Sequence, residues 1–234
     1  MADSSRARGG PPVGTGLAAP FDAEDFVRTQ TAIGTVELVP EIRLHLASHV
    51  TPLWEATEAT LAATNLPPPY WAFAWPGGQA LARHLLDHPD IVHGRRVLDF
   101  AAGSGIAGLA AAKAGAAHVT AADIDPIAVA ALQLNATLNE VSIDVTAEDL
   151  TLRADAAWDI VLAGDVCYER PMATSVTAWL DRLVAHGTLV LLADPGRAYL
   201  PQDGLEEVAG YDVPTLLELE DRTIRRTRVL RVIP

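Results

Sequence analysis

The chain of 234 residues has one cysteine, Cys167, so it forms no internal disulfide and no multi-cysteine zinc site. A lone thiol fits a reducing compartment. Lysine is equally scarce: Lys113 is the only one among 17 basic residues, the rest being arginine. Against these stand 30 acids and a net charge of −13, which argues against a free-standing nucleic-acid binder with a basic face. No stretch approaches the ~20 apolar residues of a membrane span. Residues 1–20 lack the apolar core of a signal peptide, and Gly9-Gly10-Pro11-Pro12 would break an amphipathic transit helix. The seven histidines show no metal spacing; His84 and His88 stand i, i+4 without a third ligand, so no metal is expected. A soluble, cytoplasmic protein is the expectation, with residues 1–20 as a disordered tail.

What the chain does have is apolar bulk. Half of its residues are hydrophobic, enough for a self-sufficient core, and the length fits one domain with an extension. We divide it into a tail (1–20), an N-terminal helical extension packing on the core (21–94) and a core (95–234). In the extension, Phe21–Thr31 reads as a short amphipathic helix and Thr35–Leu38 as a short strand. Thr51 caps a helix toward Asn65 that Pro67-Pro68-Pro69 ends. An aromatic segment follows, Tyr70-Trp71-Ala72-Phe73-Ala74-Trp75-Pro76-Gly77-Gly78, then a helix over Gln79–Asp87.

From Arg95 onward short apolar runs alternate with helical stretches. Arg96–Phe100, His118–Ala122, Ile143–Thr146, Trp158–Ala163 and Thr188–Ala193 read as strands. Ser104–Ala114, Pro126–Leu138 and Ala173–Ala185 read as helices. Such alternation means βαβ units and a mostly parallel sheet. Val213–Leu219 and Arg225–Ile233 read as a closing hairpin, which adds an antiparallel strand.

Two constellations carry chemistry. In the first, a strand ending at Asp99-Phe100 runs into Ala101-Ala102-Gly103-Ser104-Gly105, with Gly108 beyond. Glycines between a strand and a helix let a ligand approach backbone closely. Asp123 ends the next strand, where a carboxylate takes both hydroxyls of an adenosine ribose. A dinucleotide and S-adenosylmethionine both use this geometry. Asp99 favours the second: its charge is unwelcome beside a pyrophosphate and useful beside a methionyl ammonium. Asp149 reads as a partner for the adenine amino group or as a solvated loop acid. The second constellation is Gly164-Asp165-Val166-Cys167-Tyr168. In a doubly wound sheet this turn shares the ligand crevice with the glycine loop. Asp165 and Tyr168 there can bind and orient an amine. Cys167 reads as a small buried hydrophobe. Arg197, in Asp194-Pro195-Gly196-Arg197, either grips a substrate carboxylate or pairs locally.

With these residues the chain resembles the class I, seven-β-strand S-adenosylmethionine-dependent methyltransferases. More narrowly it is similar to the lysine methyltransferases of the electron transfer flavoprotein beta subunit. The motifs are Pro69 through Leu81, Val97-Leu98-Asp99, Asp123-Ile124-Asp125-Pro126, Gly164-Asp165 through Tyr168, and Asp194 through Arg197. The resemblance implies a doubly wound, Rossmann-like α/β fold with helices on both faces. Counting from Arg96–Phe100, its seven strands take the order 3-2-1-4-5-7-6, the last antiparallel. It also implies that S-adenosylmethionine, with S-adenosylhomocysteine as product, is held by Trp75, Asp99, Ala101, Gly103, Gly105, Asp123, Ile124, Asp149 and Asp165. Asp165 and Tyr168 would be the catalytic pair, with Trp71, Phe73 and Arg197 toward the substrate. The implied partner is the electron transfer flavoprotein beta subunit; from the charge and hydropathy above no nucleic-acid or membrane partner is expected, and the oligomeric state is left open with a monomer favoured. The chain departs from the family at Ala101-Ala102, where Gly-Ser is usual, and at Cys167, where an aromatic is usual. Alanine at 101 permits a close approach if its φ stays negative. Competing readings are a ribosomal-protein methyltransferase, a methyltransferase for a nicotinamide-like amine, a non-catalytic cofactor-binding module and a dinucleotide-dependent oxidoreductase.

Overall fold

The computed structural model describes residues 21–47, 68–153 and 157–234. The tail and the helix expected over 51–65 lie outside them. Helix α1 (Ala23–Gln30) begins where the Asp22 carboxylate accepts from the N–H groups of Glu24 and Asp25. An antiparallel pair follows, β1 (Ala32–Val36) and β2 (Val39–Leu46). The strand expected over Thr35–Leu38 is met only at Thr35 and Val36, the end of β1; Glu37 and Leu38 form the turn of this hairpin. The pattern of β2 is obscured by Pro40, an edge-compatible residue that breaks an alternating run.

The core alternates as expected. Its strands are β3 (Arg96–Phe100), β4 (His118–Ala122), β5 (Asp144–Thr146), β6 (Ile160–Gly164), β7 (Leu189–Asp194), β8 (Leu205–Pro214) and β9 (Ile224–Val232). They form one sheet in the order β5-β4-β3-β6-β7-β9-β8. β5, β4, β3, β6 and β7 pair in parallel, whereas β9 is antiparallel to both neighbours. Counted from β3, this is 3-2-1-4-5-7-6. The closing hairpin differs from its expected bounds. β8 runs over Leu205–Pro214, and Leu217–Leu219, expected to be strand, lie in a short helix α6 (Leu217–Glu220). As an edge strand with a bulge between Glu207 and Ala209, β8 shows no sustained alternation to read.

Helices α2 (Pro76–Asp87), α3 (Ile106–Lys113), α4 (Pro126–Leu138) and α5 (Arg170–Ala185) cover the sheet. Successive strand residues point to opposite faces, so the central strands are apolar throughout. Val97, Ile160 and Leu191 meet Leu81 and Leu85 of α2 on one face. Leu98, Val161 and Val190 meet Val176, Trp179 and Leu183 of α5 on the other. The parallel strands end at one edge, and the turns leaving β3, β4 and β6 open together there.

Candidate active site

Those turns and the aromatic segment enclose a cleft of about 900 Å³. Its first wall is the glycine loop. Ala102 N–H donates to Ala122 O at 3.0 Å, tying the loop to the end of β4. Gly103 N–H donates to Asp123 Oδ2 at 2.9 Å, and Asp125 N–H to Asp123 Oδ1 at 3.0 Å. Asp123 is therefore held in place, and each oxygen keeps a lone pair for an incoming hydroxyl. Next to it Ile124 is 72% exposed, an apolar face placed on the cleft. Asp149 also lines the cleft, with Oδ1 accepting from Thr151 N–H and Oγ1–H.

Asp99 lies inside the sheet end, buried, and accepts from Gly108 N–H at 2.7 Å. Burial pushes its carboxyl up to about 7, against the pull of that hydrogen bond. Gly105 does not line the cleft; it turns the loop. Its φ is +78°, and a Cβ there would meet Leu132 Cδ2 at 2.4 Å. Ala101 lines the cleft with a φ of +51°, so the condition under which alanine there would be unstrained, a negative φ, is not met. The tethers at 102 and 103 fix the chain's path and force alanine into the left-handed region. That conformation costs an L-residue roughly 1–2 kcal/mol. Ala101→Gly removes this strain but enlarges the unfolded ensemble, so a net gain of about 0.5–1 kcal/mol is expected in denaturant unfolding. A loss would contradict the strain.

The opposite wall is aromatic. Tyr70 and Tyr168 are 39% and 41% exposed, their rings 5.6 Å apart and edge-on. Tyr70 packs in the same way on Trp75, whose Nε1–H donates to Tyr70 O at 2.8 Å. Burial pushes the Tyr168 phenol up to about 12, so it stays neutral. Trp71 and Phe73 line the cleft too but are almost wholly buried, packed with Val27 of α1 and Ile127 of α4. Cys167 is buried, and burial pushes its thiol up to about 12, so it is no nucleophile.

Asp165 sits where the walls meet, buried and at a φ of +56°, which aspartate tolerates. Both oxygens are engaged. Oδ2 accepts from Gly77 N–H at the start of α2, and Oδ1 accepts from Arg197 Nε at 3.0 Å and Nη2 at 2.6 Å. A helix N-terminus and a guanidinium thus stabilise one carboxylate. Burial still pushes it up to about 6, with Arg197 opposing, so it is ionised at neutral pH. Arg197 also donates to both oxygens of Glu220. The Asp-Pro-Gly-Arg arginine is therefore paired within the chain. Sequence reading named Gly77 only as part of a motif and did not see Glu220, because both act through contacts distant along the chain.

The raised carboxyls have a measurable consequence. Asp99 at about 7, and Asp125 and Asp165 at about 6, lie above the ordinary 3.8. The native state then holds more protons than the unfolded state between about pH 4 and pH 7. Stability of the ligand-free chain falls as pH rises through that window. Burial depresses His45 and His84, which act the other way below about pH 6.5. Asp99→Asn keeps the Gly108 acceptor and isolates the Asp99 share. The unfolding free energy of this variant relative to the parent, read by denaturant unfolding, should rise from pH ~5 to pH ~8 by on the order of 2 kcal/mol. A difference independent of pH would contradict it.

A family model described as ribosomal protein L11 methyltransferase matches residues 81–168. The electron transfer flavoprotein beta subunit lysine methyltransferase of Xenopus laevis is 43% identical, covering 74% of this chain and 70% of that protein. Its Danio rerio counterpart is 35% identical over 90% of this chain and 83% of that protein. Among solved structures, the Thermus thermophilus 16S rRNA N2 G1207 methyltransferase in complex with S-adenosylmethionine and guanosine superposes with a TM-score of 0.55. It is 19% identical, covering 87% of this chain and 50% of that one, which speaks to fold.

Proposed function

The chain belongs to the family of electron transfer flavoprotein beta subunit lysine methyltransferases, and from that premise we propose that its own substrate is a lysine of that subunit. It is an S-adenosylmethionine-dependent methyltransferase. The observation that carries the substrate chemistry is the charge of the cleft. Among the described residues seven carboxylates line it against one guanidinium, Arg197, which is itself paired. A sulfonium, an ammonium and a lysine ε-amine all suit such a field. A pyrophosphate does not, which counts against the dinucleotide reading.

The residues present fit S-adenosylmethionine. Asp123 stands ready for the ribose, Ile124 offers an apolar face to the base, and Asp99 lies buried where an ammonium partner would keep it ionised. When bound, S-adenosylmethionine supplies a methyl group on a good sulfur leaving group, open to in-line attack by an amine. The chain's own work is positioning and exclusion of water. A free lysine has a pKa of ~10.4, so deprotonation at pH ~7.4 costs about 4 kcal/mol. An aromatic slot formed by Tyr70, Trp75 and Tyr168 lowers that pKa by stripping water from the ammonium. With both oxygens already accepting, Asp165 acts as a fixed charge that orients the amine rather than as a mobile base, so the ammonium proton leaves to water at the mouth of the cleft before the neutral amine takes the methyl group. Tyr168, neutral and half-exposed, holds the amine from the open side.

The reading extends to a cytoplasmic enzyme. Its support is the single buried cysteine, and the absence among the described residues of any helix long and apolar enough to cross a membrane. Incubation with methyl-labelled S-adenosylmethionine and a cell extract tests the function broadly. With one lysine in the chain, background from self-labelling is small. Label on a single protein of the flavoprotein's size supports the reading, and label confined to small molecules overturns it.

A further inference from the structure

The connection between β8 and β9 lies far along the chain from every motif considered so far, yet it reaches the cleft twice. Leu219 lines the cleft and packs with Trp75 against the aromatic segment. Glu220, 3% exposed, accepts from Arg197 Nη2 on Oε1 at 2.6 Å and from Nη1 on Oε2 at 3.1 Å. The connection is itself braced. Thr215 N–H donates to Thr223 O, Thr215 Oγ1–H to Arg222 O, and Arg225 Nη2 to Glu220 O. Arg225 Nε lies 3.0 Å from Glu220 Oε2.

Arg197 is therefore held on both edges of its guanidinium. One edge, Nε and Nη2, faces Asp165; the other, Nη1 and Nη2, faces Glu220. Its Cζ lies over the Trp75 ring, 5.7 Å from the centroid. A long side chain gripped at one edge keeps rotational freedom; gripped at two, it has one orientation. Were Glu220 needed only to close the β8–β9 turn, Arg225 would suffice as its partner. Yet both carboxylate oxygens accept from Arg197, Oε2 being shared with Arg225.

We propose that Glu220 is a positioning residue for methyl transfer: its two-point grip on Arg197 fixes the guanidinium edge that holds Asp165 and keeps the guanidinium over Trp75. The inference rests on the functional reading above and deepens it, by making the last hairpin part of the catalytic apparatus. Glu220 does not touch the substrate; it acts through Arg197.

The test is a double-mutant cycle on the full chain. Glu220→Gln keeps the shape and one acceptor and loses the bidentate charge. Arg197→Lys keeps the charge and loses the fork. Expected for Glu220→Gln is a kcat lower by about 10- to 100-fold, with KM and S-adenosylhomocysteine affinity within about 3-fold. Because the effect passes through Arg197, Glu220→Gln adds nothing further in the Arg197→Lys background. Multiplying effects, or a kcat for Glu220→Gln within about 2-fold of the parent, would overturn the proposal. A second readout needs no turnover: the Arg197 Nε–H resonance, assigned by its loss in Arg197→Lys, should exchange slowly in the parent and fast in Glu220→Gln. If the parent transfers no methyl to lysine, the functional reading fails. The bridge is then judged by that resonance, and its persistence in Glu220→Gln overturns it.

Discussion

Asp165→Asn lowers the rate of methyl transfer by about 10²- to 10³-fold and leaves cofactor affinity within a few-fold. Asparagine is the informative replacement because it tolerates the +56° φ at this position. It also fills the same space between the start of α2 and Arg197. What it loses is the charge and one acceptor. The single amide oxygen cannot serve both Gly77 N–H and Arg197, so one donor is left facing an NH₂ group. That buried mismatch costs about 1–3 kcal/mol of stability, a loss visible in a melt and separable from the loss of rate. Calorimetric titration with S-adenosylhomocysteine shows whether the cleft persists. Transfer at the parent rate would remove Asp165 from the catalytic role given to it.

Gly77→Ala is expected to be the more disruptive change to the fold, at about 3 kcal/mol or more. A Cβ at 77 would stand 2.5 Å from Ala193 O, 2.6 Å from Asp165 Oδ2 and 2.7 Å from Asp165 N. Two of those atoms are backbone at the ends of the central strands β6 and β7, and they cannot turn aside. The helix must lift away, breaking the hydrogen bond that Gly77 donates to Asp165. Denaturant unfolding reads the loss, and a stability within about 1 kcal/mol of the parent would show that the approach is looser than described.

These two residues show where sequence reading stops. The doubly wound core was legible because each of its signals is local. Apolar runs such as Arg96–Phe100 and His118–Ala122 are buried on both faces, and the strand–glycine–helix order with an acid at the next strand end is short-range. The cleft likewise gathers Asp99, Asp123, Asp165 and Tyr168, because parallel strands deliver their C-terminal turns to one edge. β2 and β8 were harder. They are edge or outlying strands whose pattern Pro40 or a bulge interrupts, and one buried face leaves a weaker signal than two. The sign of φ at Ala101 is not legible in the sequence because it is set by tethers to Ala122 and Asp123 rather than by the residue itself. Gly77 and Glu220 acquire their roles only when α2 and the last hairpin are folded onto Asp165. No motif in the chain marks either of these contacts in advance.

The acid excess also gains a location. A net charge of −13 counts at first only against nucleic acid, whereas the cleft concentrates carboxylates where a sulfonium and a lysine would meet. The central claim is that this meeting occurs on the electron transfer flavoprotein beta subunit. The direct measurement is peptide mass spectrometry of that purified subunit after incubation with the chain and heavy-methyl S-adenosylmethionine. The account predicts heavy methyl groups on lysine with the parent and their near absence with Asp165→Asn. An unlabelled subunit, with a chain that still binds S-adenosylhomocysteine, would contradict it.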